Sequence, residues 1–373
     1  MRVVVVSTLA GAAWGGSEVL WAATASRLAA GGSSVVAVTR DRRPRPPALD
    51  DLAADGVELR TWRPAGRPAR AMYKVGVAHG PAPVGDVLLV NMASAHDLVT
   101  AVAPRAAVRR ARRDGTPYAL APHSLVERGM PDRNRALLRE LYAGAAAVVV
   151  PAAGMQADLE RQLVVRLPAC VEIPTPTPLL TAPPEPWPGA GTLRLACVAR
   201  LDVEQKGHDA LLAALADVSW RDDDWTLDLY GSGPDEAYVR ALVAFYGLGD
   251  HVRLRGHTDD VAAVWRDHHA LVLPSRREAR GIAITEAMAA GRPVLGTAIG
   301  GIPDSVVDGV TGILAPSPTP AGLRIGLERF WSARDDLEGW GRAGRVHVLR
   351  AFTPDPVDRL VGVLRAATER PAN

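Results

Sequence analysis

VVVVS (3–7), SEVLWAATASRLAAGG (17–32) and SVVAVT (34–39) follow one another at the start of the chain. A short β-branched run, a longer helical pattern and a second apolar run make a strand–helix–strand unit with both sheet faces covered. The same grammar returns in the second half as TLRLACVAR (192–200), HDALLAALADV (208–218) and WTLDLYGSG (225–233). Buried strands alternating with helices predict parallel sheets built from βαβ units. The expected fold is α/β, with two doubly wound Rossmann-like domains facing a central cleft. Ligands in such sheets sit outside the carboxyl ends of the strands, hence between the two domains.

Between the halves lies PTPTPLLTAPPEPWP (174–188), with seven prolines. Neither a helix nor a central strand tolerates that density, so residues 174–190 read as an extended linker. The first domain is then 1–173 and the second 191–350. From about residue 318 the pattern is mostly helical. The closing stretch, 351–373, is assigned as a helix returning to the first domain, a placement that periodicity alone does not dictate.

A chain of 373 residues with 48% hydrophobic and 23% charged residues has room for two globular cores. The net charge of +2 demands no polyanionic partner, so nucleic acid is not expected. Cys170 and Cys197 match no metal spacing and offer no disulfide framework. The apolar run in MRVVVVSTLAG is too short for a signal peptide or a membrane span, and the expected location is the cytoplasm.

Four stretches carry candidate chemistry. In TLAGAAWGGSEVLW (8–21), Gly15 and Gly16 precede a helix read as starting near Ser17, taken as its N-cap. Glycines there let a ligand approach backbone amides at a positive helix end, although a tight βα turn needs them equally. In VARLDVEQKGHDALL (198–212), Arg200 and Lys206 put two cations on one loop, a fork and a point charge that suit a diphosphate. Asp202 and Glu204 nearby could simply pair with them. In LDLYGSGPDE (227–236), Gly231 and Gly233 allow a sharp turn beside a ligand, or serve the turn alone.

The fourth stretch is LVLPSRREARGIAITEAMAAG (271–291). Glu278 lies in a loop after a strand, Gly281 marks a close approach, a helix starts near Ile282, and Glu286 falls in its second turn. Helix-terminal amides suit an anion, and carboxylates accept hydrogen bonds from sugar hydroxyls. A general acid/base pair of the glycoside-hydrolase kind is the rival reading.

Together ARLDVEQKG (199–207), GSGPDE (231–236), GHTDDVAAVWRDHHALVLPS (256–275) and GRPVLGTAIGGIPDSVVDGVTGIL (291–314) resemble the retaining glycosyltransferases of family 4, which have the GT-B fold. The match is specific over roughly 193–315. In the first half it rests mainly on GGSE (15–18) and on His123 in ALAPHSL (119–125). The resemblance implies that Glu278 holds donor-sugar hydroxyls and Glu286 the ribose hydroxyls. It implies that Arg200 and Lys206 neutralise the diphosphate. Gly16, Gly281 and Ile282 would offer amides, and His123 would stand near the donor sugar. One departure is Ala279-Arg280-Gly281, where relatives often carry Gly-Phe-Gly. Arg280 could meet an anionic donor, an anionic acceptor or nothing.

The resemblance also implies transfer of a hexose-type sugar from a nucleoside-diphosphate donor, UDP first, to a hydroxyl acceptor. Family members react on one face without a metal or other cofactor; the acceptor could be a saccharide, a glycolipid or a small natural product. Asp222-Asp223-Asp224 reads as a turn before a strand, not as a metal site. Trp14, Asn91 and Asp97 are candidate acceptor contacts at the first domain's strand ends. The arginine run 105–113 is the solvated face of a helix or a contact for an anionic surface, so membrane association is possible but not indicated. An epimerase or other enzyme on the same fold, and a non-catalytic nucleotide- or carbohydrate-binding module, remain alternatives. The sequence is silent on oligomeric state.

Overall fold

The computed structural model describes residues 1–8, 14, 16–41, 44–64, 76–77, 84–125, 129–167, 169–216, 224–352 and 355–369. Gly15, Asp222 and Asp223 lie outside the described residues. The chain divides into two compact units, Met1–Pro176 with Pro354–Asn373, and Thr177–Thr353.

The first unit runs β1 (Arg2–Ser7), α1 (Gly16–Ala30), β2 (Ser34–Arg40), α2 (Ala48–Ala54), β3 (Glu58–Pro64), β4 (Gly76–Val77), β5 (Val87–Met92), α3 (Asp97–Thr100), α4 (Val102–Arg113), β6 (Tyr118–Pro122), α5 (Asp132–Ala143), β7 (Ala147–Val150), α6 (Ala153–Leu163) and β8 (Cys170–Glu172). Its sheet has the order β4-β3-β2-β1-β5-β6-β7-β8. Only the β3–β4 pair is antiparallel among these strands. Alternate residues of β1 serve opposite faces: Val3 and Val5 pack in one core, Val4 and Val6 in another. That is why the run is continuously apolar rather than alternating. Helix α1 begins at Gly16, so Ser17 is its second residue and not its N-cap.

The second unit runs β9 (Leu193–Val198), α7 (Val203–Lys206), α8 (His208–Leu215), β10 (Trp225–Tyr230), α9 (Glu236–Phe245), β11 (Val252–Gly256), α10 (Val261–Asp267), β12 (Ala270–Leu273), α11 (Ile282–Ala289), β13 (Val294–Thr297), β14 (Gly312–Ala315), α12 (Pro320–Ser332) and α13 (Leu337–Ala351). Its sheet is parallel throughout, in the order β11-β10-β9-β12-β13-β14. The last helix, α14 (Pro356–Glu369), belongs to the first unit. Its Val357, Leu360, Val361 and Leu364 share a core with Val3, Leu28 and Leu89.

The proline-rich segment differs from a free linker. The division falls between Pro176 and Thr177, and most of the segment is fastened to the second unit. Arg292 donates to the carbonyls of Glu185 (3.2 Å) and Pro186 (2.5 Å), and Arg345 to that of Ala182 (2.7 Å). A proline-rich strip has carbonyls but few amide donors, so the guanidinium groups of buried Arg292 and half-buried Arg345 satisfy it.

The arginine run lies on α4. Ala103, Pro104, Ala107, Val108 and Ala111 are buried beneath it. Arg110 and Arg113 pair with Asp114, Arg112 pairs with Glu140, and Arg105 donates to the Val99 carbonyl. No helix among the described residues is long and apolar enough to cross a membrane.

Candidate active site

Strand order reverses beside β9 and β12 in the second unit, the position where doubly wound sheets open a crevice. The loops leaving these two strands carry Arg200, Lys206 and Glu278. Lys206 Nζ stands 2.5 Å from Glu278 Oε2, with side chains 21% and 13% exposed. Ser275 Oγ donates to the same Glu278 oxygen at 3.4 Å. Arg200 is more open, 53% exposed, and reaches Asp202 Oδ2 at 3.4 Å.

The two loops are fastened together by groups the sequence reading missed. Arg276 grips Asp209 with both terminal nitrogens, at 2.6 and 2.9 Å, and also donates to the Val203 carbonyl at 2.6 Å. The amides of Arg276 and Arg277 both donate to the Gln205 carbonyl. Gly207 turns the chain at φ +68°, and a Cβ there would stand 2.2 Å from the Pro274 carbonyl oxygen. Gly231 and Gly233 have a related use: added Cβ atoms would meet the Ala199 and Leu201 carbonyl oxygens at 2.0 and 2.2 Å. These glycines let the β10 turn lie directly against the Arg200 loop. The Gly300-Gly301 pair supports Glu278 from below. Gly301 donates its amide to the Glu278 carbonyl at 3.3 Å, and a Cβ on Gly300 would lie 1.9 Å from that oxygen.

Gly281 adopts φ +85°, reserved for glycine, and caps α11. The Ile282 and Ala283 amides fall in the first turn, where a helix has no acceptors of its own. Glu286 is half-buried one turn on. Burial raises its carboxyl to about 7, and no hydrogen bond or ion pair answers it among the described residues. A carboxyl held in this way gains from hydroxyl donors, which favour its ionised form. Arg280, read as meeting an anionic donor, an anionic acceptor or nothing, is 7% exposed, with its guanidinium 5.8 Å from the centre of the Phe352 ring. Among the described residues no group of three His, Cys, Asp or Glu side chains is arranged to hold a metal ion.

In the first unit the order reverses between β1 and β5. There Glu18, 3% exposed, accepts from Ser7 Oγ (2.6 Å), Trp21 Nε1 (3.0 Å) and Asn91 Nδ2 (2.7 Å). Asn91 Oδ1 in turn lies 2.7 Å from His123 Nε2. Asn91, expected to touch an acceptor, is 1% exposed and spends both ends of its amide inside the protein. Burial pushes the His123 imidazolium down to about 4, so the ring is neutral at pH 7. Asp97 is likewise engaged: it accepts from Thr8 Oγ1 and from the Ser94 amide at 3.1 Å, and its carboxyl is raised by burial. Trp14 packs on the core with its ring 6.0 Å from that of Trp21. Glu18 was legible only as the acid in GGSE; nothing in the spacing showed that it would turn inward onto Asn91.

Residues 192–332 match the family described as glycosyl transferases group 1. The chain is similar to a D-inositol 3-phosphate glycosyltransferase of Segniliparus rotundus, 32% identical over 168 residues, which are 43% of this chain and 37% of that protein. It is similar to a GDP-mannose-dependent alpha-(1-6)-phosphatidylinositol monomannoside mannosyltransferase of Mycobacterium tuberculosis, 33% identical over 164 residues, 40% of this chain and 41% of that one. The match thus spans about two fifths of the length of these curated relatives. In fold it is similar to Anabaena HepE, solved in complex with UDP, at a TM-score of 0.77 and 16% identity over 98% of this chain and 100% of that one. Residues 192–332 therefore carry a match to the glycosyl transferases group 1 model, within a chain of the GT-B fold.

Proposed function

We propose that the protein is a retaining glycosyltransferase that moves a hexose-type sugar from a nucleoside-diphosphate donor, UDP-linked first, to a hydroxyl acceptor. The carrying observation is the joint placement of Lys206, Glu278, Glu286 and the α11 N-terminus on two fastened loops of one switch point. Lys206, Arg200 and the first-turn amides supply positive potential where a diphosphate leaving group gains charge. They do so through protein groups, and the reading needs no metal. Glu278 meets donor-sugar hydroxyls, and Glu286 receives the paired ribose hydroxyls. The phosphate oxygen that departs takes the acceptor proton on the same face of the sugar, so no separate base is assigned. The names of the relatives support a nucleotide-sugar donor, one with GDP-mannose and one solved with UDP.

The test is calorimetric titration of UDP, GDP and ADP without added metal, into the protein and into Glu286→Ala. Micromolar binding of one nucleotide, lost in the variant, supports the reading and identifies the base. Turnover is then assayed with that base's sugars, and the anomeric configuration of the product is read by NMR. No binding of any nucleotide to the unaltered protein sinks the proposal.

A further inference from the structure

The hydrogen bonds around Asn91 fix the position of the proton on the His123 ring. Trp21 Nε1 can only donate, and it donates to Glu18 Oε2 at 3.0 Å. The Asn91 NH2 donates to that same oxygen at 2.7 Å. Asn91 must then turn its carbonyl oxygen to His123, 2.7 Å away. An amide oxygen only accepts, so His123 Nε2 carries the hydrogen. In a neutral imidazole the other nitrogen, Nδ1, is left as an acceptor. Among the described residues nothing donates to Nδ1, while the backbone amide of His123 is anchored to the Met92 carbonyl at 2.9 Å.

We propose that Glu18 and Asn91 are positioning residues that hold His123 as its Nε2–H tautomer, so that Nδ1 accepts a hydrogen bond from a hydroxyl of a saccharide substrate. The ligand class rests on the transferase reading given above; the proton placement does not. The arrangement is directional. Because Glu18 and Asn91 are buried and mutually satisfied, neither can turn to offer His123 a donor without orphaning a buried group. The site then favours a hydroxyl hydrogen at Nδ1 over an anionic or acceptor-only group.

The test is 15N NMR of the histidine rings at pH 7 in the full chain without substrate. The unaltered protein should show Nε2 protonated, Nδ1 unprotonated, and a slowly exchanging Nε2 hydrogen. Asn91→Leu removes the acceptor. Its two ring nitrogens should move towards each other as the tautomers mix, and its kcat/KM should fall at least tenfold. Glu18→Gln should keep the tautomer, because its carbonyl can still accept from Trp21 and Asn91. A proton on Nδ1 in the unaltered protein overturns the proposal. So does Asn91→Leu with unchanged ring nitrogens, or with a mixed tautomer and undiminished turnover. The ring states need no turnover, so a failure of the transferase reading is seen separately, as absence of nucleotide binding.

Discussion

Lys206 Nζ and Glu278 Oε2 meet at 2.5 Å although 72 positions separate them in sequence. The contact exists because two strands adjacent in the sheet, β9 and β12, release their loops at the same edge. With both side chains largely shielded, the pair is screened less than a surface pair. A diphosphate would compete for the ammonium, and sugar hydroxyls for the carboxylate. Lys206→Ala should therefore lower kcat by roughly 10²–10³-fold, the scale of one removed charge stabiliser. Glu278→Gln should fall within a similar range. The double variant should be far less impaired than the product of the two, as expected for residues acting as one unit. Single-turnover rates measure this, and a Lys206→Ala enzyme transferring sugar at full rate would remove Lys206 from the site.

Glu286 gives a pH prediction with a definite sign. Its folded carboxyl sits near 7, above the usual 4.5, because burial disfavours the charge. Between those values the folded state binds the extra proton, so this group's contribution to stability falls as pH rises from about 4.5 to 7. Glu286→Gln should therefore stabilise the protein at pH 8, by up to about 3 kcal/mol from the linkage relation. Ligand hydroxyls favour the carboxylate, so nucleotide affinity should run the other way. It should be highest above pH 7 and drop about tenfold per pH unit below it, until the bound-state pKa is reached. Denaturant melts and titrations across pH 5.5–8.5 check both trends. An affinity flat over that range would show that Glu286 does not titrate with binding.

The loop geometry makes Gly207 sensitive. Alanine there would sit at φ +68° with its Cβ 2.2 Å from the Pro274 carbonyl oxygen. The left-handed conformation alone costs roughly 1–2 kcal/mol, and a backbone clash adds to it. Gly207→Ala should lower the melting temperature and weaken nucleotide binding by displacing Lys206. Gly249→Ala is the control: it has nothing within 4 Å and no positive φ, so it should change neither. Equal behaviour of the two would refute the packing account of the Lys206 loop.

How far the sequence carried differs between the two units for physical reasons. Buried parallel strands need continuous apolar runs, and VVVVS and LVLP show them without ambiguity, so sheet class and strand ends were legible. The positions of Arg200, Lys206, Glu278 and Glu286 were legible because the loops after β9 and β12, and the helices α7 and α11 that follow them, come in an order that fixes their place at the sheet edge. Long-range pairing was not. Arg276 with Asp209 spans 67 positions, and Glu18 with Asn91 spans 73; no local period encodes either. Asn91 is the penultimate residue of β5 and Asp97 opens α3 beyond it, and the inward orientation of both is decided by partners distant in sequence. The proline-rich run was read from what it cannot form. Its docking depends on Arg292 and Arg345, which lie more than a hundred residues away.

Helix α14 offers a separate test, because one element carries both kinds of contact. Leu364 is fully buried against the first unit's core, alongside Val3 and Leu28. Asp358 pairs with Arg27 at the surface, with both side chains more than half exposed. Leu364→Ala should cost about 2–5 kcal/mol, transfer energy plus the cavity left behind. Asp358→Ala should cost at most about 1 kcal/mol, because water screens the pair and holding two long side chains offsets its attraction. The deficit from Leu364→Ala should appear as lost amide protection in β1, α1 and β5, with the strands of the second unit unaffected, since the helix packs within the first unit. Hydrogen exchange followed by mass spectrometry reads this element by element. Loss of protection concentrated in β9 or β12 instead would mean that α14 stabilises the chain by a route other than burial in its own core.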